Sequence, residues 1–311
     1  MRSVVLLLAL CSSLALSQLA RAEVQLLTSI KPLQLIAAAV QDGVGQPAVL
    51  LPPGASPHRF ALRPSDIRRL REASLFYWVG PDLEGFLSKP LAAREGQSVA
   101  LQSLPGLTLR HFGESAEEHA GHADEHEHSS EHDHDHRPGS IDVHLWLLPA
   151  NARLIAARMA ADLAAIDPAN AARYQANLTA FEARLKQLDQ RLHKRLAPLA
   201  GKPFFVFHET YDYFEQAYGL RHAGVFSLGS EVQPGARHVA AMREQLKAAG
   251  PSCVFSEPPL QPRLAQTLSE GLPVQLAELD ALGSEVALGS QGYEQLLEGL
   301  AETLAGCLQG D

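Results

Sequence analysis

Eight histidines and nine carboxylates alternate along one segment of this chain, residues 111–136, here called the His-rich tract. Imidazole is a preferred ligand for zinc, copper and nickel, so a dense mixture of imidazoles and carboxylates predicts metal binding. The tract has no apolar periodicity, and we expect a disordered surface loop over 111–137 when no metal is bound. Its histidines are His111, His119, His122, His126, His128, His132, His134 and His136.

Four further side chains of ligand type, His58, His144, His208 and Asp280, lie in predicted loops at the ends of strands. In open parallel sheets, ligands bind in the loops that follow the carboxyl ends of the strands. Two of the four residues come from each half of the chain, so they meet only if the halves face each other across a cleft. Three imidazoles and one carboxylate form a tetrahedral set that suits zinc. On spacing alone, a purely structural role for each histidine stays open.

The elements that must position these residues alternate between apolar strand runs and helical patterns in both halves of the chain. That alternation predicts an α/β fold class with mostly parallel sheets covered by helices. Between the halves, apolar residues recur at three- and four-residue spacing, which predicts one amphipathic helix about 40 Å long. We therefore expect an N-terminal α/β lobe over 23–166, a linking helix over 167–198 and a C-terminal α/β lobe over 199–311.

The first 22 residues have the pattern of a cleaved secretory signal peptide. Arg2 supplies a positive start, an apolar run covers Val4 to Leu10, and Ala20 to Ala22 form a small-x-small cleavage site. The apolar run is too short to span a bilayer. The sequence therefore predicts an exported protein whose mature chain begins at Glu23.

Only two cysteines, Cys253 and Cys307, remain once the predicted signal peptide is removed. An even pair in an oxidising compartment predicts one disulfide. A metal site with two cysteine ligands is the alternative, but neither residue has a neighbour in a Cys-x-x-Cys arrangement.

The formal net charge of -9 is concentrated in the His-rich tract, which contains nine of the acidic residues. The remainder of the chain is close to balanced. This distribution excludes a nucleic-acid binder, which depends on neutralising phosphates, and it provides no basic patch for a membrane surface.

Five segments carry a resemblance to a known family, and they occur in order along almost the whole mature chain. They are Pro53–His58, Leu62–Asp66, Asp142–Leu147, Phe207–Glu215 and Leu279–Gly283. Together they resemble the cluster A-I (cluster 9) metal-binding receptors of ABC importers. The similarity is greatest to the periplasmic zinc-binding members, which carry a His-rich insertion at the same place.

The resemblance implies two (β/α)4 lobes joined by a rigid helix, with the metal site in the cleft between them. The family's ligands correspond to His58, His144 and His208, and either Asp280 or water completes the set. Manganese-binding relatives have a carboxylate where this chain has His208, and nitrogen in place of oxygen favours zinc. The implied protein is a monomeric periplasmic receptor, not an enzyme, which captures Zn2+ and delivers it to a membrane permease.

Several assignments stay open. The His-rich tract could scavenge extra zinc or report zinc sufficiency, or the whole protein could be a periplasmic metal buffer. A zinc hydrolase is a weaker alternative, because the chain has no His-Glu-x-x-His helix, although Glu209 beside His208 could act as a base. Asp142, Glu209 and Asp212 are candidates to orient the imidazoles, or else exposed loop acids, and Glu257 is predicted to lie in the cleft.

Overall fold

The computed structural model describes residues 24–113, 139–227, 235–258 and 263–310. The predicted signal peptide and the His-rich tract after Gly113 lie outside the described residues. Within these ranges the chain forms two sheets of four parallel strands each, flanked by helices. The predicted α/β fold class is therefore confirmed. None of the described helices has the length and apolar character needed to cross a membrane.

The N-terminal sheet has the strand order β2-β1-β3-β4, and all of its pairings are parallel. Its elements are β1 (Leu26–Thr28), α1 (Lys31–Val40), β2 (Ala48–Val49), α2 (Pro64–Glu72), β3 (Leu75–Trp78), α3 (Ser88–Ala92) and β4 (Gln97–Ala100). Before α3, Glu84 has a non-helical backbone with a φ of -113° and a ψ of 51°. Its buried carboxylate accepts the N–H of Gly80 at 3.0 Å.

Two long helices follow, α4 (Pro149–Ile166) and α5 (Ala171–Leu196). The second is the predicted amphipathic helix, which links the two sheets. Its apolar residues form one buried face, because positions three and four apart lie on the same side of a helix. They are Tyr174, Leu178, Phe181, Leu185, Leu188, Leu192 and Leu196.

The C-terminal sheet repeats the first arrangement, with the order β6-β5-β7-β8. Its elements are β5 (Phe204–His208), α6 (Asp212–Tyr218), β6 (Gly224–Ser227), α7 (Ala236–Ala249), β7 (Ser252–Ser256), α8 (Arg263–Ser269), β8 (Val274–Glu278) and α9 (Gly292–Gln309). The last helix packs against both α5 and α1. A Cβ atom at Gly292 would lie 2.6 Å from Leu35, so a glycine is needed where α9 approaches α1. One continuous apolar core therefore runs through both lobes.

Cys253 and Cys307 form a disulfide, with their Cα atoms 6.2 Å apart. The bond joins β7 to α9, and thus the sheet of the second lobe to the helix that packs on the first. The pairing agrees with the disulfide predicted from the cysteine count.

The base of the His-rich tract departs from the sequence prediction. The disordered loop was predicted to begin at His111, but His111 pairs with Ile141 in an antiparallel bridge. Phe112 donates its N–H to Ser140 at 3.0 Å, and Gly139 donates to Phe112 at 2.7 Å. Backbone pairing therefore joins His111 and Phe112 to residues 139–141, just before His144.

Candidate metal centre

Three of the four predicted ligands converge between the lobes. The ring centroids of His58, His144 and His208 are 5.3 to 5.8 Å apart. One nitrogen from each ring can be chosen so that all three lie within 4.8 Å of one another. Tetrahedral zinc with bonds of about 2.1 Å would place its nitrogen ligands roughly 3.4 Å apart, so only small side-chain movements are needed.

The three histidines line a cavity of about 260 Å³ that opens between the lobes. His144 and His208 are buried, whereas His58 is partly exposed. His58 ends a turn in which Gly54 has a φ of 76°, a conformation that glycine adopts readily. The half-buried histidine thus faces the entrance, and the buried pair forms the floor.

Asp142 fixes the orientation of His144. Its Oδ1 atom accepts the Nδ1–H of the imidazole at 2.8 Å and also the backbone N–H of His144 at 3.0 Å. Because Asp142 binds Nδ1, His144 would bind a metal through Nε2. Histidine ligands in metal sites are commonly held by a carboxylate in this way.

Glu257 and Thr210 fix the orientation of His208. Glu257 Oε1 lies 3.1 Å from His208 Nδ1, and the Thr210 hydroxyl lies 2.6 Å from the same nitrogen. The hydroxyl also donates to Glu257 Oε1 at 2.5 Å. The three side chains form a closed triangle on Nδ1, which directs Nε2 of His208 into the cavity.

The charges in this group shift the pKa values of His208 and Glu257 in opposite directions. Burial alone lowers the pKa of His208, but the charge and hydrogen bond of Glu257 outweigh it and raise the pKa above 6.5. Burial raises the pKa of Glu257, and the charge and hydrogen bond of His208 reverse this effect and lower it. Without a metal, the pair therefore favours an imidazolium bound to a carboxylate.

The pKa of Asp142 is raised, whereas that of Glu257 is lowered. Burial is the main cause that raises the pKa of Asp142 to about 7, although the backbone N–H of His144 and the charge of Arg110 oppose it. A cation near His144 would favour the ionised carboxylate.

Asp280 lies outside the group formed by the three histidines. Its Oδ1 accepts the backbone N–H groups of Leu282 at 3.0 Å and Gly283 at 2.8 Å, and its Oδ2 accepts that of Ser284 at 2.6 Å. The adjacent residues Ala281 and Leu282 line the cavity. In this arrangement Asp280 holds the cavity-lining turn in place.

Hydrogen bonds across the cleft hold its loops together. Trp146 donates its indole N–H to the carbonyl of Ala281 at 2.9 Å, and the hydroxyl of Tyr293 donates to the carbonyl of Trp146 at 2.6 Å. The hydroxyl of Tyr213 donates to the carbonyl of Asp142 at 3.0 Å. The loop that carries His144 is thus attached to the C-terminal lobe on two sides.

Asp142, Glu209 and Asp212 were candidates to orient the imidazoles, and in the described residues Asp142 contacts one of the three rings. Asp142 holds His144, whereas Asp212 lies 3.5 Å from Arg110 in a different cavity, which Glu209 also lines. Sequence reasoning missed Thr210, although it stands two residues after a predicted ligand.

Comparison with known proteins supports one family. The model of the family described as "Zinc-uptake complex component A periplasmic" (ZnuA) matches residues 26–307. A curated relative from Yersinia pestis, named high-affinity zinc uptake system protein ZnuA, is 40% identical over 294 residues, which are 93% of this chain and 92% of the relative. A relative of the same name from Brucella abortus is 36% identical over an alignment of 318 residues, gaps included, which covers 94% of each chain.

A solved structure has the same fold. It is a zinc-bound deletion mutant of a ZnuA protein, with a TM-score of 0.72 and 24% identity, and the match covers 91% of this chain and 97% of that one.

Proposed function

We propose that this chain, which belongs to the ZnuA family of periplasmic zinc-uptake components, captures Zn2+ between its lobes and delivers it to the permease of an ABC importer. The family and the named relatives are solute-binding transport proteins, not enzymes. We place the zinc on Nε2 of His58, His144 and His208. The chain acts as an exported periplasmic monomer after loss of residues 1–22.

The observation that carries this proposal is the convergence of three imidazoles, two of which have Nδ1 already held by a carboxylate. Such an arrangement directs the Nε2 atoms towards a common point, where zinc can bind once the proton of His208 is released. A set of three nitrogens also favours zinc over manganese, which prefers oxygen ligands.

Water is the fourth ligand that this arrangement favours. Asp280 is the alternative from the protein, but both of its oxygens accept backbone N–H groups. A bound water leaves one coordination position exchangeable, which suits a protein that must release its metal.

Delivery would require little movement of the lobes. The buried face of α5 and the packing of α9 on α1 join the lobes in one apolar core, which opposes a wide hinge motion. We propose that the His-rich tract binds further zinc and acts in scavenging or sensing. Its base at His111 and Ile141 lies three residues before His144, which supports a role near the cleft.

The hydroxyl of Thr210 makes a specific prediction. Thr210→Val keeps the shape of the side chain but removes both hydrogen bonds to His208 and Glu257, so His208 loses part of its orientation. We expect zinc affinity to fall by about 10- to 100-fold, as for other groups that orient metal ligands. Competition with a chromogenic chelator measures the change. Thr210→Ser keeps the hydroxyl and is the matched control; equal affinities for the two variants would contradict the assigned role.

Zinc binding should depend on pH through His208. Because the pKa of His208 is raised, its Nε2 stays protonated up to a higher pH, and zinc must displace that proton. Affinity is therefore greatest above the raised pKa and falls as the pH drops through it. Glu257→Gln removes the charge that raises this pKa, so the midpoint of the decline should move to lower pH. Titrations across a pH series measure the midpoint, and an unchanged midpoint in Glu257→Gln would argue against the coupling.

Calorimetric zinc titration of the mature chain, with and without residues 114–138, separates a receptor from a metal buffer. The proposal requires one tight site that persists after the deletion and discriminates against manganese. If the deletion removed all tight binding, the tract would be the principal binder and a buffering role would replace the importer role.

A further inference from the structure

A second group of metal-ligand side chains lies outside the three-histidine site. Asp212 and Glu215 are on the first turn of α6, and His222 lies in the loop before β6. One atom of each can be chosen so that all three lie within 4.8 Å of one another. Glu215 is buried, and Asp212 and His222 are partly buried.

This group faces a cavity of about 420 Å³, which is also lined by Arg110, Gly113 and Glu209. The Oδ2 atom of Asp212 is buried without a hydrogen-bond partner among the described residues. A buried carboxylate oxygen without a donor is costly, and it marks a position where a cation would be stabilised. The cavity is large enough to admit an ion with its bound waters.

Carboxylates and cationic groups face each other around this cavity. Glu215 holds His222, accepting its Nδ1–H at 2.9 Å and its backbone N–H at 3.0 Å. Arg110 lies 3.5 Å from Asp212, but it also donates to Gln216 at 2.8 Å. Arg221 also lines the cavity, so three cationic groups face three carboxylates, counting Glu209.

The pKa shifts show which proton a bound metal ion would displace. Burial, followed by the charge of Glu215, raises the pKa of Asp212 to about 6, against the opposing charges of His222 and Arg110. Burial lowers the pKa of His222, but the hydrogen bond and charge of Glu215, with the charges of Asp212 and Glu209, raise it to about 9. The imidazole proton thus holds the positive charge that a metal ion could replace.

We propose that Asp212, Glu215 and His222 form a second binding site for a divalent ion of the zinc type. One imidazole and two carboxylates suit such an ion, and waters would complete its coordination. Because it offers one imidazole and the cleft offers three, this site should bind zinc more weakly than the three-histidine site. The assignment does not depend on transport by this protein.

The second site is connected to the first by a short chain of hydrogen bonds. Arg110, which lies beside Asp212, donates its backbone N–H to the hydroxyl of Tyr213 at 2.9 Å. The same hydroxyl donates to the carbonyl of Asp142, the residue that orients His144. An ion at the second site would therefore lie close to the loop that carries a ligand of the first.

Residue-specific nuclear magnetic resonance of the full mature chain tests this site. Zinc chloride is added to protein labelled with 15N in its histidine rings, and the ring signals of His222 are followed after those of the three-histidine site have saturated. We expect a second, saturable change at His222. Asp212→Asn should weaken it by at least about tenfold, equivalent to roughly 1.4 kcal/mol, while the first site still fills.

The chain supplies a matched control in His193, whose Nδ1 lies 3.8 Å from Asp189 on the exposed side of α5. This pair also joins an imidazole to a carboxylate, but it belongs to no group of three ligands among the described residues. The proposal is overturned if His222 does not respond, if His193 responds equally, or if Asp212→Asn leaves the response of His222 unchanged. Filling of the three-histidine site is read from its own signals, so failure of either site is seen separately.

Discussion

His208→Ala is expected to abolish tight zinc binding in the cleft, with a loss of affinity greater than about 100-fold, the upper range for residues that only orient a ligand. The substitution removes one of three nitrogens, and it leaves Glu257 and Thr210 with no imidazole to hold. Two imidazoles and water are a much poorer zinc site. Chelator competition on a chain without residues 114–138 measures the loss directly.

The control for this prediction is His193→Ala, which removes an exposed imidazole of α5 that does not line the three-histidine cavity and should leave zinc affinity unchanged. Thermal unfolding of both variants without zinc checks that the fold is retained. A His208→Ala chain that still bound one zinc ion tightly would place the metal elsewhere.

Removal of the disulfide should cause the largest change in stability. For the loop closed by Cys253 and Cys307, which are 54 residues apart, the chain-entropy model gives a loss of about 4 kcal/mol in the free energy of unfolding. The double variant Cys253→Ala/Cys307→Ala tests this by urea unfolding without zinc. Because the bond joins β7 to α9, its loss should weaken the attachment of α9 rather than the three-histidine site itself.

Reduction of the unsubstituted chain is the control for the double variant. The reduced protein should unfold at a similar urea concentration, since both lack the same covalent constraint. If neither change lowered the unfolding midpoint, the contribution assigned to the disulfide would be wrong.

The sequence was sufficient to predict the architecture and the convergence of the three histidines. Alternating strand and helix patterns specify parallel sheets, and loops at the carboxyl ends of their strands meet at one edge. His208 ends β5 and His58 follows β2, so both obey this rule. His144 follows only an isolated bridge at Ile141, and hydrogen bonds from the C-terminal lobe hold its loop in place. The predicted amphipathic pattern of α5 was also correct, because its spacing depends only on local geometry.

The contacts around the histidines could not be predicted, because they depend on the order of the strands. Glu257 reaches His208 because β7 pairs directly with β5, although 49 residues separate the two side chains. Asp280 was predicted to be a ligand because it follows a strand. In the structure, its carboxylate accepts the backbone N–H groups of the turn that comes after it. Glu215 and His222 meet because Gly219 ends α6 with a φ of 68° and lets the chain reverse, which no periodic pattern reveals.

The most direct test of the zinc site is a crystal structure of the zinc-loaded protein, with anomalous diffraction data collected on both sides of the zinc absorption edge. We expect a strong peak at about 2.0–2.1 Å from Nε2 of His58, His144 and His208, the usual zinc–nitrogen distance. A zinc-loaded crystal with no peak among these three rings would contradict the proposed receptor site.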